Sequence, residues 1–216
     1  METFEKVATA ERPAHIRELP IVTGHLALDF ANTVDDPAGP NRYDHIGTYA
    51  GLLHWSVRVD ILPAARAQDL YETGSPSLRA AHALRHVLNE TFGGIAAGQP
   101  QADEHWAGLR PFVTDSYRHS DLVPQKNSYA MRWPDDRPDA VLWPVARAAA
   151  DLLTAPVLGR LKRCAGCPWV FLDRSRNGSR RWCSMEDCGT HAKMQRYVTK
   201  RKANQPRARA APPASG

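Results

Sequence analysis

Apolar residues recur at helical spacing in four stretches of the chain. Residues 47–58 place Tyr49, Leu52, Leu53 and Trp55 on one side. Residues 63–71 open on Pro63, suited to a first helical turn, where its missing N–H would lack a partner anyway. From 76 to 97, Leu78, Ala81, Leu84, Val87, Leu88 and Phe92 mark the apolar face of the longest predicted helix. Gly93-Gly94 weaken its end, and residues 98–102 form the turn beyond it. An alanine-rich helix is predicted over 140–154, with Pro144 in its first turn.

Two other stretches predict strands. In 21–34, IVTGHLALDFANTV, Leu26, Leu28 and Phe30 alternate, as in a strand that runs into a helix start. Residues 107–133 scatter the β-formers Phe112, Val113, Tyr117, Leu122, Val123, Tyr129 and Met131 between polar turns, which predicts two or three short strands. Gly, Pro, Asn and Asp make loops of 35–44 and 134–139. The fold class is α+β: a mostly helical domain with a small antiparallel sheet over 20–158, then a small cysteine module over 159–204. Residues 1–19 are polar without a period and predict a mobile arm, and the low-complexity tail 205–216 predicts disorder.

Charge divides the chain at the same place. Residues 160–216 hold fourteen Lys/Arg against three acidic residues, a formal +11, whereas 1–159 hold fourteen against twenty, or −6. The basic part suits a polyanion. No run of about 18 apolar residues predicts a membrane span. The N-terminus carries glutamates where a secretory leader would carry positive charge, so a cytoplasmic location is expected.

All four cysteines fall within twenty-five residues, as C-x2-C (Cys164, Cys167), fifteen residues, then C-x4-C (Cys183, Cys188). In a reducing compartment, such pairs hold metal rather than disulfides. Four thiolates make a closed tetrahedron suited to one structural Zn²⁺, with no position left for a reacting water. His191, three residues after Cys188, is a rival ligand, although cysteine already fills the four positions. Between the pairs, Trp169–Leu172 form a β-like apolar run and Asn177-Gly178 a hairpin signal. Beyond Cys188, Thr190 is placed to cap a basic helix with an apolar stripe of Met194, Tyr197 and Val198.

The segments RLKRCAGC and WVFLDRSRNGSRRWCSMEDCG, with the basic helix after them, resemble the CGNR zinc finger. Residues 24–34, GHLALDFANTV, are similar to the opening of the ABATE domain that precedes that finger in bacterial proteins. The resemblance implies a stress-responsive transcription regulator that binds DNA. The name-giving Cys-Gly-Asn-Arg reads Cys188-Gly189-Thr190-His191 here, so its asparagine and arginine are missing. The first cysteine pair is also closer in sequence than the family's usual spacing.

Candidate DNA contacts are Arg174, Arg176, Asn177, Arg180 and Arg181 around the turn, and Lys193, Arg196, Lys200 and Arg201 on the helix. A protein–protein adaptor with a purely structural zinc module is the alternative. Histidines 25, 45, 54, 82, 86, 105 and 119 offer no recognisable catalytic set: His82 and His86 stand four apart, but Ala83 replaces the glutamate of a metalloprotease helix. An enzyme is therefore not expected. Asp29 and Asn32 are candidates either for a pocket mouth or for capping or turning the chain, and the charge split with the resemblance makes the acidic domain a candidate sensor of a small-molecule effector.

Overall fold

The computed structural model describes residues 3–36, 40–73, 78–99 and 103–203. Thr3 caps helix α1 (Phe4–Glu11) through its side chain, which accepts from the Lys6 N–H. Phe4 is buried, and its N–H donates to Gln68 Oε1 at 3.1 Å. The segment expected as a polar arm is thus anchored by one aromatic side chain and, at its far end, by buried Leu19.

Helix α2 (Leu26–Ala31) replaces the expected strand. Ala27, Leu28, Asp29, Phe30 and Ala31 are all buried, so no polar face exists to reveal a helical period. A short ladder of β1 (Val34–Asp35) and β2 (Tyr43–Asp44) follows. Then come α3 (Tyr49–Arg58), capped by Thr48, α4 (Ala64–Thr73) and α5 (Arg79–Ala96), close to their predicted positions. Ala81, Leu84, Leu88 and Phe92 form the buried face of α5 as expected. Gly93-Gly94 lie in the last turn of the helix, as expected, where Gly94 lets Gln99 and His105 approach closely.

Helix α6 (Asp103–Arg118) overturns the first of the strands expected in 107–133. Leu109, Val113 and Ser116 are buried at a spacing of four and three, a helical face. Pro111 disguised it in sequence and is tolerated because its side of the helix is exposed to solvent. The hairpin β3 (Asp121–Gln125) and β4 (Ser128–Arg132) does form. A 3₁₀ turn (Pro138–Val141) leads into α7 (Leu142–Thr154), which packs against α6 and α2. The Ser116 hydroxyl donates to the Trp143 carbonyl at 2.8 Å, and the Trp143 indole to Asp115 at 2.7 Å, locking α6 to α7.

The C-terminal module consists of an antiparallel pair, β5 (Leu161–Arg163) and β6 (Val170–Leu172), a π-type turn (Met185–Gly189) and helix α8 (Thr190–Ala203). The hairpin closes over the C-x2-C segment, where Cys164 N–H donates to the Trp169 carbonyl. It is not made by Asn177-Gly178, which lie in a later loop with Gly178 at φ +59°. Trp169, Val170, Phe171, Leu172 and Cys183 are buried in the same hydrophobic core as α2, α5 and α7. Full burial of such side chains contributes about 1.5–3 kcal/mol each. The tail from 205 lies outside the described residues. Among the described residues no helix is long and apolar enough to cross a membrane.

Candidate metal centre and basic face

The four cysteine sulfurs converge because two local devices meet. The β5–β6 turn folds Cys164 and Cys167 onto one side, and Ala165 N–H binds the Arg181 carbonyl, drawing the second pair alongside. Ser184 then caps the π-type turn, accepting from Asp187 N–H at 3.2 Å, and this turn carries Cys188 back to Cys183. All four sulfurs lie within 4.8 Å of one another, with Cys167–Cys183 at 3.6 Å and Cys183–Cys188 at 3.8 Å. A tetrahedron with Zn–S bonds of about 2.3 Å has edges of about 3.8 Å, so the donor set fits zinc. Gly166 and Cys183 N–H groups donate to Cys164 Sγ at 3.4 and 3.2 Å, as thiolate ligands require. Gly166 packs closely: a Cβ there would sit 3.0 Å from that of Cys188, so the ligand would have to give way by a few tenths of an ångström.

A family model, ABATE, described as "Putative stress-induced transcription regulator", matches residues 24–156, more than half of the chain. The chain belongs to the ABATE family. A second model, the CGNR zinc finger, matches residues 160–201. No curated protein matches the chain. The four thiolates of this CGNR finger hold one structural zinc ion. His191 is exposed and faces Gln195 at 2.9 Å; it is not part of the cluster. Thr190 is the first residue of α8 rather than its N-cap. It sits in helical conformation, and its hydroxyl donates to the Met185 carbonyl at 3.0 Å.

The ABATE domain holds the finger through polar contacts that the sequence did not announce. Asn32, 4% exposed, acts as a surrogate strand: its Nδ2 donates to the Val170 carbonyl at 2.7 Å and its Oδ1 accepts from Val170 N–H at 3.2 Å. Leu172 N–H donates to the Thr23 carbonyl at 3.0 Å, and the Trp169 indole to the Val34 carbonyl at 3.0 Å. Asp29 accepts from Thr23 N–H at 3.1 Å, and its burial raises the carboxyl's pKa. Asn32 therefore belongs to the seam between ABATE domain and finger, and Asp29 braces Thr23 on the same seam; neither opens a pocket. A cleft elsewhere, lined by Arg12, Glu18, His45, His54 and Trp55, has a volume of about 20 Å³, room for roughly one water.

The basic residues separate into two groups. Arg180 points inward. Its guanidinium donates to the Trp182 carbonyl at 2.9 Å, the Val22 carbonyl at 3.0 Å and the Cys183 carbonyl, and it lies over the Phe171 ring at 4.6 Å. Its Nε and Nη2 donors are thus engaged with carbonyls, which sets Arg180 apart from the exposed cations expected to contact DNA. Arg174 is exposed, yet it donates to the Gly24 carbonyl at 2.8 Å. Arg176, Asn177, Arg181, Lys193, Arg196, Lys200 and Arg201 are exposed, and Arg181 lies over the Trp182 ring.

The loop that presents Arg176 and Asn177 is built on Asp173, whose side chain is wholly buried. Its carboxylate accepts from Lys162 Nζ at 2.7 Å, from the Ser175 N–H and hydroxyl, and from Arg180 N–H. Burial alone would raise its pKa, but these donors outweigh it, Lys162 first, and hold it well below the usual carboxylate range. Because the folded value is depressed, the stabilisation is present above the unfolded pKa of about 4 and is lost as pH falls through the lower folded value. Asp173→Ala is expected to cost about 3 kcal/mol by stranding its buried donors. Its melting temperature should also change less with pH below about 4 than that of the unaltered chain. Equal pH dependence in the two proteins would remove Asp173 from this role.

Four of the histidines are held by separate partners: His45 on Asp35, His54 on Glu18, His82 on the Ile46 carbonyl, and His119 on Asp115 while stacked on Trp143. Among the described residues, only the four cysteines form a group of three or more potential metal ligands.

Proposed function

We propose that this ABATE protein is a zinc-dependent DNA-binding transcription regulator, and a binding protein rather than an enzyme. One observation supports the DNA-binding part above all. The metal turn ends directly in α8, on which Lys193, Arg196, Lys200 and Arg201 are all exposed, and the finger loop adds the exposed Arg176 and Arg181. A metal-braced helix with its cations in solvent can follow a phosphate backbone. The ABATE domain then sets the orientation of the finger through the Asn32 seam, and an effector would act by altering that seam.

Each phosphate left without its cation lowers the slope of log K against log salt by about 0.9. Reversing Lys200 and Arg201 to Glu is therefore expected to flatten the slope by about 2 and weaken binding to any duplex, while the zinc content stays at one per chain. Titrations against the protein's own upstream region and a scrambled duplex, across a salt series, measure both affinity and preference. An unchanged slope would place the interface elsewhere. A second reading, the adaptor, draws on the exposed Met194, Tyr197 and Val198 of the same helix. It predicts retention on acidic proteins with no preference for DNA.

A further inference from the structure

The β3–β4 hairpin joins α6 to α7 and touches the body through half-buried Met131, whose sulfur accepts from Arg147 of α7 at 3.1 Å. Every residue of β3 is exposed, and Leu122 and Tyr129 are 65% and 68% exposed. A two-stranded hairpin without a covered face is marginal in water. Its register pairs Leu122 with Met131, Val123 with Ala130 and Pro124 with Tyr129. Leu122, Pro124, Tyr129 and Met131 therefore share one apolar face.

The two outer edges differ. Pro124 has no N–H, so Pro124–Tyr129 is a non-hydrogen-bonded pair, and the antiparallel alternation makes Leu122–Met131 another. The backbone groups of these residues point away from the partner strand. On β3 the proline removes a donor from that outer edge, a common way of blunting it. On β4 both Tyr129 and Met131 keep theirs, and among the described residues neither backbone bonds anything beyond the hairpin.

We propose that two copies of this chain dimerise by antiparallel pairing of β4 with β4 about a two-fold axis through Ala130, forming one sheet in the order β3-β4-β4-β3. This register uses all five residues of the strand. Tyr129 falls opposite Met131 of the second copy, so the two exchange the outward N–H and carbonyl groups that the hairpin leaves free. Their side chains meet on the apolar face, a ring against a thioether. Ala130 faces its own copy at the axis as a non-hydrogen-bonded pair, where Cα atoms approach to about 4.5 Å and a small side chain is needed. Charge permits the pairing: Arg132, the one charged residue of β4, falls opposite Ser128 of the second copy and keeps Asp121 on its other side. The pairing is isologous, as a closed dimer requires. Under the DNA-binding reading it would set two basic helices on one symmetry axis, suited to paired half-sites.

The test uses the zinc-loaded full chain without DNA, so its outcome is separate from that reading. Sedimentation of the unaltered protein is expected to give twice the monomer mass, and the double variant Tyr129→Lys, Met131→Lys to give the monomer with its zinc retained. Mild oxidation of Ala130→Cys should trap a disulfide-linked dimer, since the axial Cα separation lies within disulfide range. Tyr129→Cys should not crosslink, because that residue stands two positions off its own copy, beyond about 7 Å. A monomeric unaltered protein would overturn the proposal and leave the edge for a strand from another protein. A dimer that survives the lysines, or equal crosslinking at 129 and 130, would overturn it too.

Discussion

Cys183→Ser is expected to release the zinc and to lower the melting transition of the entire chain, not of the finger alone. Cys183 is 2% exposed, and its sulfur stands 3.6 Å from Cys167 and 3.8 Å from Cys188. Zinc contributes roughly 10–16 kcal/mol to the folding of comparable modules, while a whole domain is stable by only about 5–15 kcal/mol. Loss of the metal is therefore comparable with the total stability. The finger also shares its core with the ABATE domain: Phe171 is 0% exposed, and Val170 and Leu172 are 2% exposed, among residues of α2, α5 and α7. Unfolding the finger would strip that face of the ABATE domain and expose it to water. Metal analysis together with calorimetry checks the expectation. Two resolved transitions, with the larger one unmoved in the variant, would show that the two parts fold independently.

The second large effect is expected at Asn32. Replacing it with alanine removes both partners of Val170 at once, leaving a buried N–H and a buried carbonyl without hydrogen bonds. Each such group costs about 1–3 kcal/mol. For a chain of this size, a kilocalorie shifts the melting point by about 2–4 °C. A fall on the order of 10 °C is therefore expected, with zinc still bound, because no ligand is touched. A change below about 1 kcal/mol would mean that water or a backbone shift replaces the amide. Asn32→Asp separates hydrogen bonding from packing. It keeps the shape but sets a carboxylate oxygen against the Val170 carbonyl, so it should not rescue stability.

Of the helices that could be read from sequence, α3, α4, α5 and α7, it is α4 and α5 that most clearly set a buried face against an exposed one. Their apolar residues recur with the period of the helix because water touches the other side. Helix α2 is enclosed on all sides, so its run of Leu26, Ala27, Leu28, Asp29 and Phe30 carries no contrast and passes for a strand. In α6, a proline in the interior and two β-formers after it masked a face of Leu109, Val113 and Ser116 that only packing on α7 makes evident. The arm at 1–19 failed as an expectation for a related reason: one phenylalanine in a polar stretch gives no periodicity, yet its burial anchors a helix.

The sequence by itself determined the metal centre, because its four ligands are brought together by turns of two and four residues and one short hairpin. It also determined the basic excess beside that centre, since charge needs no fold to be counted. Only the tertiary structure decided which of those cations face water. Arg180 and Arg176 stand four residues apart in one basic loop. One is turned in toward the Val22 carbonyl, 158 residues away in sequence, and the other is left in solvent. The pairing of Asn32 with Val170, 138 residues apart, is of the same kind. Local spacing encodes short-range geometry, whereas a buried hydrogen bond is chosen by whichever distant backbone group would otherwise remain unpaired.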